Sequence, residues 1–329
     1  MSELIDPSSV NFAVSLEAFT AVKFWTGVGI LAGIYTIFTL GLQLNVGFTG
    51  LMNFGQAGFM AIGAYAMGIL VVKAGWSFWL AMPAATLIAM AFGVLVGLPS
   101  VRLRADYFAI ATIAFAEIVR LTALNARTLT GGNQGLLGFD ESWNNVSDTI
   151  NGWLESAGWS DPETLFPLLL VVWIVAALAT LGLHFVQRSP WGRVLRAIRE
   201  DEDAARALGK NTFAYKLQSL AIAAMLGSLA GFFLALDLAY LHPTEFNPLF
   251  TFIGYGVLVL GGLANYWGVA IGSVIMWTIL EGSRFIELPL SAEHIAAGRF
   301  MFVGLVLILL MAFRPQGIFG KREEMVLGE

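Results

Sequence analysis

Apolar residues in this chain gather into long runs and do not alternate with polar ones. The runs cover residues 27–44, 58–72, 76–98, 107–124, 164–186, 217–241, 249–263, 269–280 and 300–313. Several approach or exceed the ~20 residues a helix needs to cross a hydrocarbon core. The short alternating segments of a transmembrane β-barrel are absent. The pattern predicts an all-α, polytopic transmembrane helical bundle of roughly eight spans. Residues 1–23 read as a polar or surface segment, 24–313 as the transmembrane domain and 314–329 as a C-terminal tail.

Two stretches break the pattern. Residues 45–59 carry Gly47, Gly50, Gly55 and Gly58 among Asn45, Asn53 and Gln56. That mixture suits neither a lipid-facing helix nor a solvated loop. Irregular backbone at membrane depth must be buried in protein or line a cavity, so a broken or re-entrant segment is expected here. Close packing through small residues is the competing explanation; it is favoured for Gly63 and Gly68, and a translocation path for Asn53 and Gln56. The second break is charged. Residues 188–216 hold seven Lys or Arg and the four consecutive acids Glu200, Asp201, Glu202 and Asp203. Val194, Leu195, Ile198, Ala205 and Leu208 lie near one face of a helix, with Gly209 as its stop. Such a helix is either a handle for a soluble partner or a basic collar on anionic headgroups.

Charge sets the orientation. Cationic connections stay cytoplasmic, which places Arg102 and Arg104, the 188–216 loop, and Arg314, Lys321 and Arg322 on one side. The 125–163 connection has six acids and only Arg127, so it is external; Trp143, Trp153 and Trp159 suggest a segment at the outer interface. Within the run from Tyr107, Glu117 lies at membrane depth with Arg120 three residues on, on the same face. A central ionisable residue costs on the order of 2.5 to 3.5 kcal/mol, so a paired geometry is expected. The pair either neutralises itself and pins a neighbouring helix, which is favoured, or lines a route.

The composition agrees: 57% hydrophobic and 12% charged, with mean hydropathy +0.75. No phosphate-binding loop, zinc-protease motif or serine elbow occurs. The three histidines, His184, His242 and His294, are scattered, and there is no cysteine, so no catalytic or metal site is expected. A faint internal echo links residues 50–54, GLMNF, with residues 262–266, GLANY.

TGLMNFGQAGFMAIGAYAMG, YFAIATIAFAEIVRL followed by LTGGNQG, SPWGRVLRAIREDEDAARALG, VLVLGGLANYWG and RPQGIFG occur in that order. Together they resemble the inner-membrane permease of branched-chain amino acid ABC importers, the longer of its two permease types, from about Gly41 to Gly320. The resemblance implies a multi-pass bacterial inner-membrane subunit, paired with a second permease, two cytoplasmic ATPase subunits and an extracytoplasmic solute-binding protein. ATP and magnesium would be bound by the partners; no cofactor in this chain and no nucleic acid is implied. The 188–216 loop would be the coupling loop. Asp203-Ala204-Ala205 with Gly209 is similar to the Glu-Ala-Ala-x-x-x-Gly core of such loops, although Asp replaces Glu and the later Ile-x-Leu-Pro is absent. Arg196, Arg199, Glu200, Asp203, Ala204, Ala205 and Gly209 are the expected coupling residues. Asn45, Asn53, Gln56, Glu117, Arg120 and Asn133 are the expected path or gate residues. The related urea permease and a stand-alone ion-coupled transporter are the rival expectations.

Overall fold

The computed structural model describes residues 21–158, 165–263 and 265–283, with single positions at 298, 301, 304, 305, 308 and 318. The expected N-terminal surface segment, Trp159, the expected last span and the tail lie almost wholly outside the described residues.

Twelve α-helices follow one another among the described residues: α1 (Val22–Leu42), α2 (Gln56–Val72), α3 (Phe78–Ser100), α4 (Ala105–Asn125), α5 (Arg127–Thr130), α6 (Glu141–Ser156), α7 (Phe166–Arg188), α8 (Pro190–Glu200), α9 (Glu202–Ala207), α10 (Thr212–Leu238), α11 (Leu249–Gly261) and α12 (Tyr266–Gly282). A π-helical stretch, Gln43–Thr49, extends α1. Among the described residues, five helices are long and apolar enough to cross a membrane: α1 with its extension, α3, α4, α7 and α10. α2 is a shorter apolar helix, and α11 and α12 form a pair bent by 117° at a break. The two runs expected at 249–263 and 269–280 are therefore present as short helices packed back on each other, each below full spanning length.

Burial separates centre from periphery. α1 buries Ile30, Ile34, Ile37, Phe38 and Leu40 completely, on every side, as a helix apolar all round must. α10 runs beside it, and packs against α1, α2 and α3. Small residues permit that contact: a methyl added at Gly63 of α2 would lie 2.4 Å from the Ser228 Cα of α10, and one at Gly231 would lie 2.0 Å from the Met60 carbonyl. α3 buries a four-residue repeat, Ala81, Ala85, Ala89, Gly93 and Gly97, and exposes Leu80, Leu87 and Leu95. α7 does likewise, burying Val172 and Ala176 while exposing Leu178 and Phe185. Outer faces as apolar as the inner ones fit a hydrocarbon surround and not water.

Each pass reverses the last, so the molecule has two ends. One carries α6, the start of α7 and the 3₁₀ turn Pro243–Phe246. α6 is amphipathic and buries Trp143, Ser147 and Asn151, with Trp153 outward. The opposite end carries the π-helical stretch, the α3–α4 turn, α8 and α9. The single helix expected across the charged loop is two helices. Asp201 is extended, with φ −151° and ψ 106°, and its Oδ1 accepts from the backbone N–H groups of Asp203 and Ala204, both at 2.9 Å. An Asp free to cap starts a new helix more favourably than it continues an old one. Gly209, at φ 76°, ends α9 as expected.

Candidate functional site

The anomalous segment 45–59 forms the heart of the molecule. α1 loosens into the π-helical stretch, then ends at Gly50, whose φ of 75° is open to glycine and strained for other residues. Unwinding frees backbone groups that must find partners away from water. Side chains from two other helices, α4 and α11, supply several of them. Thr112 of α4 accepts from the Phe54 N–H at 3.0 Å, and Thr251 of α11 accepts from the Ala57 N–H at 3.2 Å. The Tyr255 hydroxyl of α11 donates to the Asn53 carbonyl at 2.9 Å. Gln56 donates to the Ala223 carbonyl of α10 at 2.9 Å and to the Phe38 carbonyl of α1 at 3.4 Å, while its Oε1 accepts from Asn53 at 3.2 Å. Asn53 Oδ1 in turn accepts from the Gly55 N–H at 2.8 Å.

Asn45 completes the cluster through Ser219 of α10, 3.0 Å away, and Ser219 lies 2.7 Å from Thr49. With its Oδ1 towards Ser219, the Asn45 amide nitrogen is left buried without a partner. Turned over, the amide donates to Ser219, Ser219 donates to Thr49, and Thr49 donates to the Leu44 carbonyl at 2.9 Å. That arrangement gives each hydroxyl proton of Ser219 and Thr49 an acceptor and is the one chemistry favours.

Asn45, Asn53 and Gln56 are thus fully buried and bonded inside the protein, Asn53 and Gln56 to backbone and to each other, Asn45 to Ser219. The other expected path residues lie elsewhere. Glu117 and Arg120 form a bidentate pair on α4, at 2.9 and 2.5 Å, with 37% and 19% of their side chains exposed. They neutralise each other, and no hydrogen bond to another helix is seen among the described residues. Asn133 is exposed on the 3₁₀ turn Gly132–Gln134 at the α6 end. An apolar cavity of about 420 Å³ opens between α2, α3 and α4, lined by Tyr65, Phe92, Phe115 and Ile118 among others. It suits a hydrocarbon side chain, but its lining has no charge to hold a carboxylate or an ammonium.

The charged loop touches the broken segment directly. Arg199 donates through Nη1 to the Gly47 carbonyl, inside the π-helical stretch. Arg196 places its guanidinium over the Phe48 ring, 5.5 Å from the centroid. Leu195 and Ile198 bury the other side of α8, and Ala205 anchors α9. Glu200, Asp203 and Ala204 stay exposed. Leu208, expected on the buried face, is 80% exposed beyond the end of α9. Glu202 joins α9 to α10: its Oε2 accepts from Lys216 and its Oε1 from Arg206 at 3.1 Å. Burial pushes its carboxyl up, but Lys216, Thr212 and Arg206 outweigh that and hold it below the ordinary carboxylate value.

The echo between 50–54 and 262–266 has a structural counterpart. Gly262, like Gly50, has a left-handed φ, at 93°, and Asn265 caps α12 through the Gly268 N–H at 3.3 Å. The two breaks stack crosswise. Phe54, after the first, lies on Tyr255 of α11 at 4.5 Å; Tyr266, after the second, lies on Phe48 at 4.9 Å. Thr49, Thr112, Ser219, Thr251 and Tyr255 were not visible as site residues in the sequence, because isolated hydroxyls are ordinary in apolar helices. Their one signal is the number of backbone groups that residues 45–59 leave open.

A family model described as the branched-chain amino acid transport system permease component matches residues 26–311. The high-affinity branched-chain amino acid transport system permease protein LivM of Escherichia coli is 32% identical over 307 residues, covering 88% of this chain and 69% of that protein. The probable branched-chain amino acid transport permease protein LivM of Methanocaldococcus jannaschii is 25% identical over 354 residues, 94% of this chain and 95% of that protein. The permease protein LivH of the Escherichia coli system is 25% identical over 307 residues, 89% and 93% of the two chains. No solved structure matches.

Proposed function

Because this chain belongs to the branched-chain amino acid transport permease family, as a multi-pass membrane protein, we propose that it is the permease subunit of an ATP-driven importer for hydrophobic amino acids. It forms half of a translocation path in a bacterial inner membrane, beside a second, homologous permease. Two cytoplasmic ATPase subunits bind the ATP and magnesium and grip the 188–216 loop. A solute-binding protein delivers the amino acid at the α6 end.

The observation that carries this reading is the bond from Arg199 to Gly47, reinforced by Arg196 on Phe48. Through it, a displacement of α8 and α9 acts on the π-helical stretch, and from there on α4, α10 and α11. Exposed Ala204 and Leu208 are surfaces for an ATPase groove, with Arg196, Glu200 and Asp203 as flanking charges. Asn45, Asn53 and Gln56 act as the pins of the moving segment, which open onto the path only when it shifts. Glu117 and Arg120, half-exposed at membrane depth, are costly against lipid. They support placing the outer face of α4 on the second permease or a wet passage, with Asn133 at its outer mouth.

The test is reconstitution of the permease pair with its ATPases and binding protein in liposomes, followed by uptake of labelled leucine and urea. ATP-dependent leucine uptake, insensitive to proton and sodium ionophores, is expected. Uptake by the chain alone, driven by an ion gradient, or a preference for urea, would overturn the reading.

A further inference from the structure

A second cavity, of about 480 Å³, lies at the α8–α9 end of the bundle, between the α3–α4 turn and the junction of α9 with α10. Its lining includes Arg102, Arg206, Lys210 and Lys216 against one lining carboxylate, Glu202, and Asp203 beside it pairs with Arg206 at 3.1 Å, which leaves a formal excess of two positive charges. Both oxygens of Glu202 are committed, one to Arg206 and one to Lys216. Arg102 and Lys210 have no acidic partner among the described residues. Arg102 is held over the Phe213 ring, 4.9 Å from its centroid, which fixes the guanidinium without neutralising it. Lys216 is only 12% exposed, so part of this charge is removed from water. Thr212 and Phe213 add the first turn of α10, which Asn211 caps through the Ala214 N–H at 3.1 Å and whose dipole also favours an anion. Like charges crowded into a confined, partly desolvated space repel, and a bound anion relieves that repulsion.

We propose that this cavity binds a phosphate group. The volume exceeds that of a phosphate many times over, leaving room for the group that carries it. The lining also has apolar members, Val101, half-exposed Leu103 and Phe213, at the foot of α3, α4 and α10. Cationic and apolar side chains side by side at the end of membrane-spanning helices suit a phospholipid headgroup with its glycerol. The same chemistry would also admit a soluble phosphomonoester. The cavity borders the 188–216 loop that the proposed function gives to the ATPases, but it needs neither the Arg199–Gly47 bond nor the Arg196–Phe48 contact, so lipid and phosphate binding are read separately from ATPase binding.

The test uses the purified full chain in detergent, with native mass spectrometry against phosphatidylglycerol and phosphatidylcholine of the same acyl composition. Phosphatidylglycerol is expected to bind about tenfold better, and Arg102→Gln with Lys210→Gln to abolish the preference. The charge-keeping variant Arg102→Lys with Lys210→Arg should retain it. A parallel thermal-shift titration with inorganic phosphate and glycerol phosphate separates the sources. A shift lost in the glutamine variant assigns the site to soluble phosphate, and no shift alongside lipid preference assigns it to the headgroup. Equal retention of both lipids with no response to phosphate would overturn the proposal, as would a preference unchanged in the glutamine variant. Loss of ATPase-subunit binding in that variant, without any phosphate or lipid response, would also overturn it and make the cavity a protein contact.

Discussion

Arg199 has the most consequential side chain in the molecule relative to its surroundings. It spends a full charge on one backbone carbonyl that a regular helix would have satisfied itself. A hydrogen bond from a charged donor contributes roughly 1.5–3 kcal/mol, enough to hold α8 to the π-helical stretch through a change of shape. Arg199→Ala is expected to leave ATP hydrolysis by the assembled complex intact while leucine uptake drops by about tenfold or more; parallel assays of phosphate release and uptake would check it. Gln56 poses a different problem, since it serves two carbonyls and one amide at zero exposure. Gln56→Leu keeps the volume and strands those groups, so a stability loss of about 1–3 kcal/mol is expected in denaturant melts of the solubilised chain. The sequence marked Asn45, Asn53 and Gln56 as misplaced polar residues but not what they do. An amide aimed at a backbone carbonyl and one aimed at a passing solute leave the same letter in the chain. Thr49 and Ser219 were hidden for a related reason: hydroxyls in apolar helices commonly bond their own helix, as Thr36 does to Ala32.

At the scale of elements, periodicity located the helices well and their interruptions poorly. The charged loop reads as one amphipathic helix because Leu195, Ile198 and Ala205 share a face. A run of four acids carries no sign of which one will cap, and Asp201 divides the helix. The short α9 is then tied down by Glu202, whose carboxyl lies below its usual value. A depressed carboxyl contributes stability fully above its unfolded value, about 4.3, and loses it as the pH falls through the lower folded value. Thermal midpoints of the wild type and Glu202→Gln should therefore differ at neutral pH and converge under acid conditions. Ala205 is buried beneath α9, so Ala205→Phe should lift the helix and uncouple hydrolysis from uptake without unfolding the spans. Gly63→Leu belongs to another class, because its side chain would meet the α10 backbone itself; loss of folded protein in size-exclusion chromatography is expected.

For the whole molecule, composition and run length revealed a polytopic helical bundle without further help, since nothing else exposes Leu80, Leu87 and Phe185 on its rim. What the chain order concealed was the meeting of two distant breaks, 212 residues apart by the Gly50 and Gly262 positions. GLMNF and GLANY are too short to announce their neighbourhood, which shows only in Phe54 lying on Tyr255 and Tyr266 on Phe48. Purified alone and placed in liposomes, the chain is expected to move no leucine, a result readable by radiolabel counting beside the complete assembly. The crossed aromatic pairs have a last consequence. Each ring beyond one break is seated on a ring that precedes the other, so neither half can slip without unseating its counterpart. Under the proposed coupling, such mutual locking is expected to make switching all-or-none, with no stable half-turned form. Injury to Tyr266, which lies on the same Phe48 ring that Arg196 of α8 covers, should therefore blunt the response to ATP as surely as injury to the loop itself.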